Sequence, residues 1–193
     1  MKKDIILCGV GGQGILSIAT VIGQAATSSG LHLKQAEVHG MSQRGGDVES
    51  DLRLSTQEIA SDLIAEGGAD LIISMEPMEA LRYLRFLSPD GAIITASEPF
   101  VNIPNYPDRD ALTGELSSLP NVTKGDIAAL AQSVGNPKGA NMVLLGMAAS
   151  SIGIVSESDL RDAIGSIFSA KGEKVVALNQ ASFDLGVKVS KGE

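Results

Sequence analysis

At 193 residues, with 15 basic and 23 acidic side chains and a net charge of −8, the chain suits one domain with a real core and shows no basic stripe of the kind a general nucleic-acid binder carries. Its lone cysteine, Cys8, excludes an internal disulfide and cannot by itself hold an iron–sulfur cluster. No apolar run approaches about 18 residues, so no membrane span is expected, and a cytoplasmic location is.

Residues 4–10, DIILCGV, read as a buried opening strand rather than a signal peptide, with Cys8 as a buried structural thiol. A glycine loop follows, then a helix that puts Ile15, Ile18, Ala19, Ile22 and Ala26 on one side and closes at Gly30. HLKQAEV is a second strand. DVESDLRLS is a third, alternating Val48, Ser50, Leu52 and Leu54 with Glu49, Asp51 and Arg53, so that one face is half-solvated or covered by polar contacts. A fourth strand at 70–75 leads into a helix whose Glu76-Pro77 start gives a cap or a charge partner. A fifth strand at 91–97 opens a Pro-, Asn- and Asp-rich connection over 98–122, in which Phe100 and Tyr106 are either exposed anchors or pins for the loop. Three helices are expected at 125–135, 139–153 and 156–170, the last opened by Ser156 and Asp159 in a capping-box spacing, and a final helix starts near Lys174. Strands and helices alternate early and helices dominate late. That order predicts a single α/β domain over 1–193: three layers, α/β/α, Rossmann-like, with a mostly parallel sheet and a helical C-terminal part.

Two loops carry the chemistry. Gly9-Val10-Gly11-Gly12-Gln13-Gly14 matches G-x-G-x-x-G between a strand and a helix, where glycines permit a tight turn and helix N–H groups face an anion. Gly11, Gly12, Gln13 and Gly14 therefore take a dinucleotide, or another phosphate such as a coenzyme tail, or serve only as a turn for packing or docking. A dinucleotide site wants a carboxylate ending the second strand; Glu37 lies near, although Val38-His39-Gly40 follows and allows the strand to run on. The second loop, HGMSQRGG, offers Arg44 as a bidentate partner for phosphate or carboxylate, Ser42 and Gln43 as hydrogen-bonding groups, and Gly40, Gly45 and Gly46 for close backbone approach. The plainer alternative pairs Arg44 with Asp47 or Glu49 to fix the turn. His39 either donates to a ligand or moves a proton, or is satisfied within the turn. Both loops are expected side by side at the carboxyl edge of the sheet. Farther on, NPKGANM places Lys138 near a helix start, with Asn141 about one turn on, where an anion would offset the unfavourable cation. Histidines are too few for a metal site, no G-x-S-x-G elbow occurs and no Walker lysine follows the first loop, so the chain offers no catalytic residue of its own.

GVGGQGILSIATVIGQAA, KQAEVHGMSQRGGDVESDLRLS and NPKGANMVLLGMAA together resemble the gamma-type domain of the pyruvate/ketoisovalerate and other 2-oxoacid:ferredoxin oxidoreductases, nearest to the small subunits serving indolepyruvate. The resemblance spans nearly the whole chain. It implies a large catalytic partner subunit that carries thiamine diphosphate and 4Fe-4S clusters, decarboxylates an aryl 2-oxoacid such as indolepyruvate, passes the acyl group to coenzyme A and hands electrons to ferredoxin. It implies that this chain binds no cofactor alone, that its glycine loop does not signify NAD, and that His39, Ser42, Gln43 and Arg44 meet coenzyme, substrate or partner. Two other classes stay open: a free-standing nucleotide-binding oxidoreductase, and a noncatalytic interaction domain with vestigial loops.

Overall fold

A computed structural model describes residues 1–39 and 46–193, His39 by its backbone alone. The chain runs β1 (Lys2–Val10), α1 (Ile15–Ser28), β2 (His32–His39), β3 (Asp47–Ser55), β4 (Ala69–Ser74), α2 (Pro77–Arg82), β5 (Leu87–Ala96), α3 (Arg109–Ser118), β6 (Val122–Gly125), α4 (Ile127–Ser133), α5 (Ala140–Ile152), α6 (Glu157–Phe168) and α7 (Glu173–Lys191). The six strands lie in the order β2-β3-β1-β4-β5-β6. β1, β4, β5 and β6 pair in parallel, whereas β3 runs antiparallel to both its neighbours. The expected α/β architecture with a mostly parallel sheet holds, with one antiparallel strand inserted beside β1.

One sheet face carries Ile5, Leu7, Leu52, Leu54, Leu71 and Ile73 against α1, α5 and α6. The other carries Ile6, Cys8, Ile72 and Ile93 against Ala80 and Tyr83 near α2 and Leu116 of α3. The period-two pattern of β3 is thus real: Leu52 and Leu54 enter the first core, and the opposite face is covered by polar contacts. There Asp51 accepts from Ile64 N at 2.9 Å, and Arg53 donates to the carbonyls of Ser61 and Leu63 at 3.0 Å each. Arg53 also forks onto the buried Asp4 carboxylate at 2.9 and 3.0 Å. These bonds hold the crossing segment 56–68 on the sheet.

Three expectations need correction. The 98–122 connection contains α3, capped by Asp108, which accepts from the N–H groups of Asp110 and Ala111. It ends in the short strand β6, and the helix expected from 125 begins only at Ile127. The helix after Glu76 stops at Arg82 and continues as a 3-10 turn, with β5 starting at Leu87 rather than 91. The capping box at Ser156 and Asp159 forms as expected.

α5 is apolar on nearly every side because it is sandwiched between the sheet and α7. The two helices touch backbone to backbone. A Cβ on Gly146 would stand 2.1 Å from Phe183 O, and one on Gly186 2.0 Å from Val143 O. No rotamer relieves a clash with backbone, so Gly146→Ala or Gly186→Ala should force the helices apart and cost about 1–3 kcal/mol or more. Gly114, inside α3 with open space around it, should respond oppositely: Gly114→Ala should gain about 0.5–1 kcal/mol from helix propensity. Urea unfolding of the three variants reads both signs.

Burial pushes the Asp4 carboxyl up, but the bonds and charges of Arg53 and Lys2 outweigh it and hold the pKa below the ordinary 3.8. The unfolded chain then binds this proton more tightly, so the pair stabilises the fold above the ordinary carboxylate range and the gain is lost as pH falls through the folded value. Asp4→Asn should cost about 2–4 kcal/mol at pH 7 and flatten the acid limb of a stability–pH curve.

Candidate functional site

The carboxyl edge of the sheet collects the loops after β1, β2, β4 and β5, the edge where open α/β sheets bind ligands. The hairpin of β2 and β3 returns to this edge beside β1. Val10 pairs with Asp47, and Gly11 N donates to Gly46 O at 2.8 Å. The two loops expected to be neighbours therefore meet through Gly11 and Gly46. Ser42, Gln43, Arg44 and Gly45, with Gly40 and the side chain of His39, lie outside the described residues.

The first loop is closed on itself. Gln13 folds back so that its Oε1 accepts from Val10 N at 2.7 Å while its Nε2 donates to Met75 O at 3.4 Å. β1 and β4 are the strands on either side of the point where the strand order reverses, so the Gln13 amide bridges the crevice in which a dinucleotide would lie. A Cβ on Gly9 would meet Ile15 Cδ1 at 2.6 Å and Gln13 Oε1 at 2.9 Å, so this glycine serves packing. β2 does run on past Glu37 to His39, and β3 separates it from β1, which sets Glu37 two strand spacings, roughly 10 Å, from the glycine loop. The dinucleotide reading of the fingerprint has neither its open crevice nor its carboxylate.

Gly12 and Gly14 take positive φ of 100° and 87°, and Gly14 begins α1 without a side-chain cap. Asn141 closes this turn from the other side: its Nδ2 donates to Gly14 O at 3.2 Å and its Oδ1 accepts from Met142 N at 3.0 Å. A Cβ on Gly14 would lie 2.6 Å from Asn141 Nδ2. α5 begins after its N-cap Gly139, close to the expected start, so Asn141 sits in its first turn beside the glycine loop. Beyond Asn141 opens a cavity of about 330 Å³ whose polar lining is Ser17, Asn136, Lys138, Lys171 and Asn179. The structure thus brings Gly14, Lys138 and Asn141 together and adds Lys171, which arrives from the turn after α6. No motif marked Lys171; its only signal is a lysine before Gly172 at a helix junction.

At the end of β4, Glu76 is fully buried. Its carboxylate accepts from Glu79 N at 2.9 Å, which caps α2, from Phe100 N at 3.2 Å, and from the Tyr106 hydroxyl. Burial and the adjoining carboxylate push the Tyr106 hydroxyl well above its ordinary range, so it stays protonated and donating. The two readings of the aromatic pair divide: Tyr106 pins the loop and Phe100 stands exposed. Cys8 is buried as expected, and burial raises its thiol far above the ordinary range. Among the described residues no cluster of His, Cys, Asp or Glu holds a metal, and an iron–sulfur cluster lacks its thiolates in a chain with one cysteine.

Residues 4–189 match the family described as pyruvate ferredoxin/flavodoxin oxidoreductase. The chain belongs to this family. It is 38% identical over 154 residues to indolepyruvate oxidoreductase subunit IorB of Archaeoglobus fulgidus, covering 76% of each chain. It is 34% identical over 200 residues to the subunit of the same name from Pyrococcus horikoshii, covering 99% of this chain and 98% of that one. Among solved structures it is similar to the gamma subunit of a keto/oxoacid ferredoxin oxidoreductase from Geobacter sulfurreducens, with a TM-score of 0.72 at 24% identity and 99% coverage of both. It also matches the fold of 2-oxoglutarate:ferredoxin oxidoreductase from Magnetococcus marinus, determined with 2-oxoglutarate, coenzyme A and succinyl-CoA bound, with a TM-score of 0.77 at 21% identity. The chain spans 31% of that longer polypeptide. No helix among the described residues is long and apolar enough to cross a membrane.

The Glu76 clamp gives a prediction. Tyr106→Phe should leave α2 capped but free the loop over 98–108, raising its rate of limited proteolysis several-fold. Glu76→Ala should uncap α2 as well and cost about 2–4 kcal/mol of global stability.

Proposed function

We propose that the chain is the small subunit of a 2-oxoacid:ferredoxin oxidoreductase acting on indolepyruvate and related aryl 2-oxoacids. The observation that carries this reading is similarity at 34% identity along nearly the full length of an indolepyruvate oxidoreductase subunit. The large catalytic subunit supplies thiamine diphosphate, which serves as the electron sink in decarboxylation, and the 4Fe-4S clusters that pass electrons to ferredoxin. The isolated chain is inactive on this reading. A cytoplasmic setting accords with a single, buried cysteine.

The chain's own work is at the coenzyme A approach. Lys138 and Lys171 flank the cavity beside Gly14, with Asn141 and Ser17 as hydrogen-bonding groups. Two ammonium groups and amide donors suit the phosphates of coenzyme A, which is bound in the Magnetococcus marinus structure. Gly11, Gly12 and Gln13 shape the turn that precedes Gly14, and contact of Ser42, Gln43, Arg44, Gly45 and His39 with coenzyme, substrate or partner is what the sequence resemblance implies. An arginine keeps its proton near neutral pH, so Arg44 is no catalytic acid.

The complex reconstituted from both subunits tests this. Turnover should require the chain, should prefer indolepyruvate to pyruvate, and Lys138→Ala with Lys171→Ala should raise the KM for coenzyme A about tenfold or more with the KM for the 2-oxoacid unchanged. Unchanged coenzyme A kinetics in an intact complex would leave the chain an assembly domain. Tight binding of NAD(P) or FAD by the chain alone would overturn the subunit reading.

A further inference from the structure

Among the described residues six large hydrophobic side chains are exposed, and four of them stand at the carboxyl edge. Leu16 lies in the first turn of α1, Val38 near the end of β2, and Phe100 and Val101 in the loop after β5. The other two, Met1 and Leu63, sit at the chain start and on the crossing segment beside Arg53. Scattered exposed hydrophobics need no explanation, but a gathering at one edge marks an interaction surface. Phe100 is 48% and Val101 70% exposed although their loop is anchored from beneath, through Phe100 N and Tyr106, by a fully buried carboxylate. Apolar side chains presented to solvent on a stiffened loop are pre-organised for contact, because little further ordering is needed on docking.

The same corner is acidic. Val38 pairs across the sheet with Glu49, and Glu49 with Cys8, which places all three on the face that α2 covers. Asp47, Glu49 and Glu79 all act on Tyr83, and Glu76 lies against Glu79. Among the described residues, Arg82, ion-paired to Glu79 at 2.7 Å, and Arg85 are the cations that face this group. Burial, then the neighbouring Asp51 charge, pushes the Glu49 carboxyl up; burial does the same for Glu79 against its pairing with Arg82. On the opposite side of the glycine loop, the cavity with Lys138 and Lys171 is basic.

We propose that this corner, formed by Val38, Asp47, Glu49, Phe100 and Val101, is the docking surface for a basic, apolar-centred patch on the large catalytic subunit. The assignment rests on the subunit reading above and adds to it the place and polarity of contact. Phe100 and Val101 act as the buried anchors, and Asp47 and Glu49 as the charged rim that sets register and association rate. Contact here would leave the basic cavity facing the anionic co-substrate instead of the partner.

The test is affinity between the purified chain and the large subunit, titrated at low and high salt. Val101→Ser combined with Phe100→Ser should weaken the complex about tenfold or more. Leu63→Ser, equally exposed but off the edge, should bind as wild type does. Asp47→Lys should weaken binding severalfold at low salt, with the difference shrinking as salt screens it. Unchanged thermal midpoints keep these results separate from unfolding, and Val38→Ser gives a second apolar probe on a strand rather than a loop. Wild-type affinity in the Phe100 and Val101 variant, or equal losses with Leu63→Ser, would overturn the docking assignment while the subunit reading stands. Failure of the wild-type chain to bind the large subunit at all would overturn both. A wild-type homodimer that the Phe100 and Val101 changes dissolve would assign the corner to a second copy and overturn the proposal.

Discussion

Two glycines facing each other across a helix crossing set the geometry of the helical layer. Gly146 and Gly186 let α5 and α7 approach until backbone meets backbone. α7 buries Phe183 as its one large apolar side chain and relies on this close contact to join the core. α5 in turn is fixed in depth between α7 and the sheet. Its first turn is thereby placed where Asn141 can reach Gly14 O, and the cavity with Lys138 opens beside it. A close packing contact in the C-terminal helices thus sets the shape of a loop that belongs to the first strand.

The glycine loop shows how a motif can be built for one purpose and read for another. Its turn needs glycine at Gly12 and Gly14, where φ is positive, as any phosphate cradle would. What fills the crevice is the protein's own amide, Gln13, reaching Val10 and Met75. The loop is satisfied by its own groups, and the two lysines of this edge, Lys138 and Lys171, stand to one side of it at the cavity beside α5. The carboxyl edge is consequently divided, basic on the α5 side and acidic with exposed apolar groups on the α2 side.

Much of this was legible in the sequence. The apolar run before the first glycine and the spacing of Ile15, Ile18 and Ile22 define β1 and α1, and the alternation through Leu52 and Leu54 defines β3. Ser156 with Asp159 announced α6. What stayed hidden has physical causes. Residue periodicity is indifferent to strand direction, so nothing in β3 says that it runs antiparallel. α3 buries only Leu112 and Leu116, and its Asp108 cap is lost among prolines and other acidic residues. β6 has four residues, fewer than a pattern needs. Lys171 joins Lys138 only through tertiary packing, and Glu76 looked like an ordinary helix cap because its bond to Tyr106 crosses thirty residues of chain.

That last bond has a spectroscopic consequence. The amide proton of Phe100 rests on a carboxylate that also holds the amide of Glu79, so the two sites share one buried acceptor group. An excursion that lifts the loop exposes the first amide alone, whereas one that frees the carboxylate exposes both. Their exchange rates, taken together, therefore distinguish a loop that breathes from a helix that frays, and the Phe100 amide becomes a native clock beside an exposed aromatic anchor.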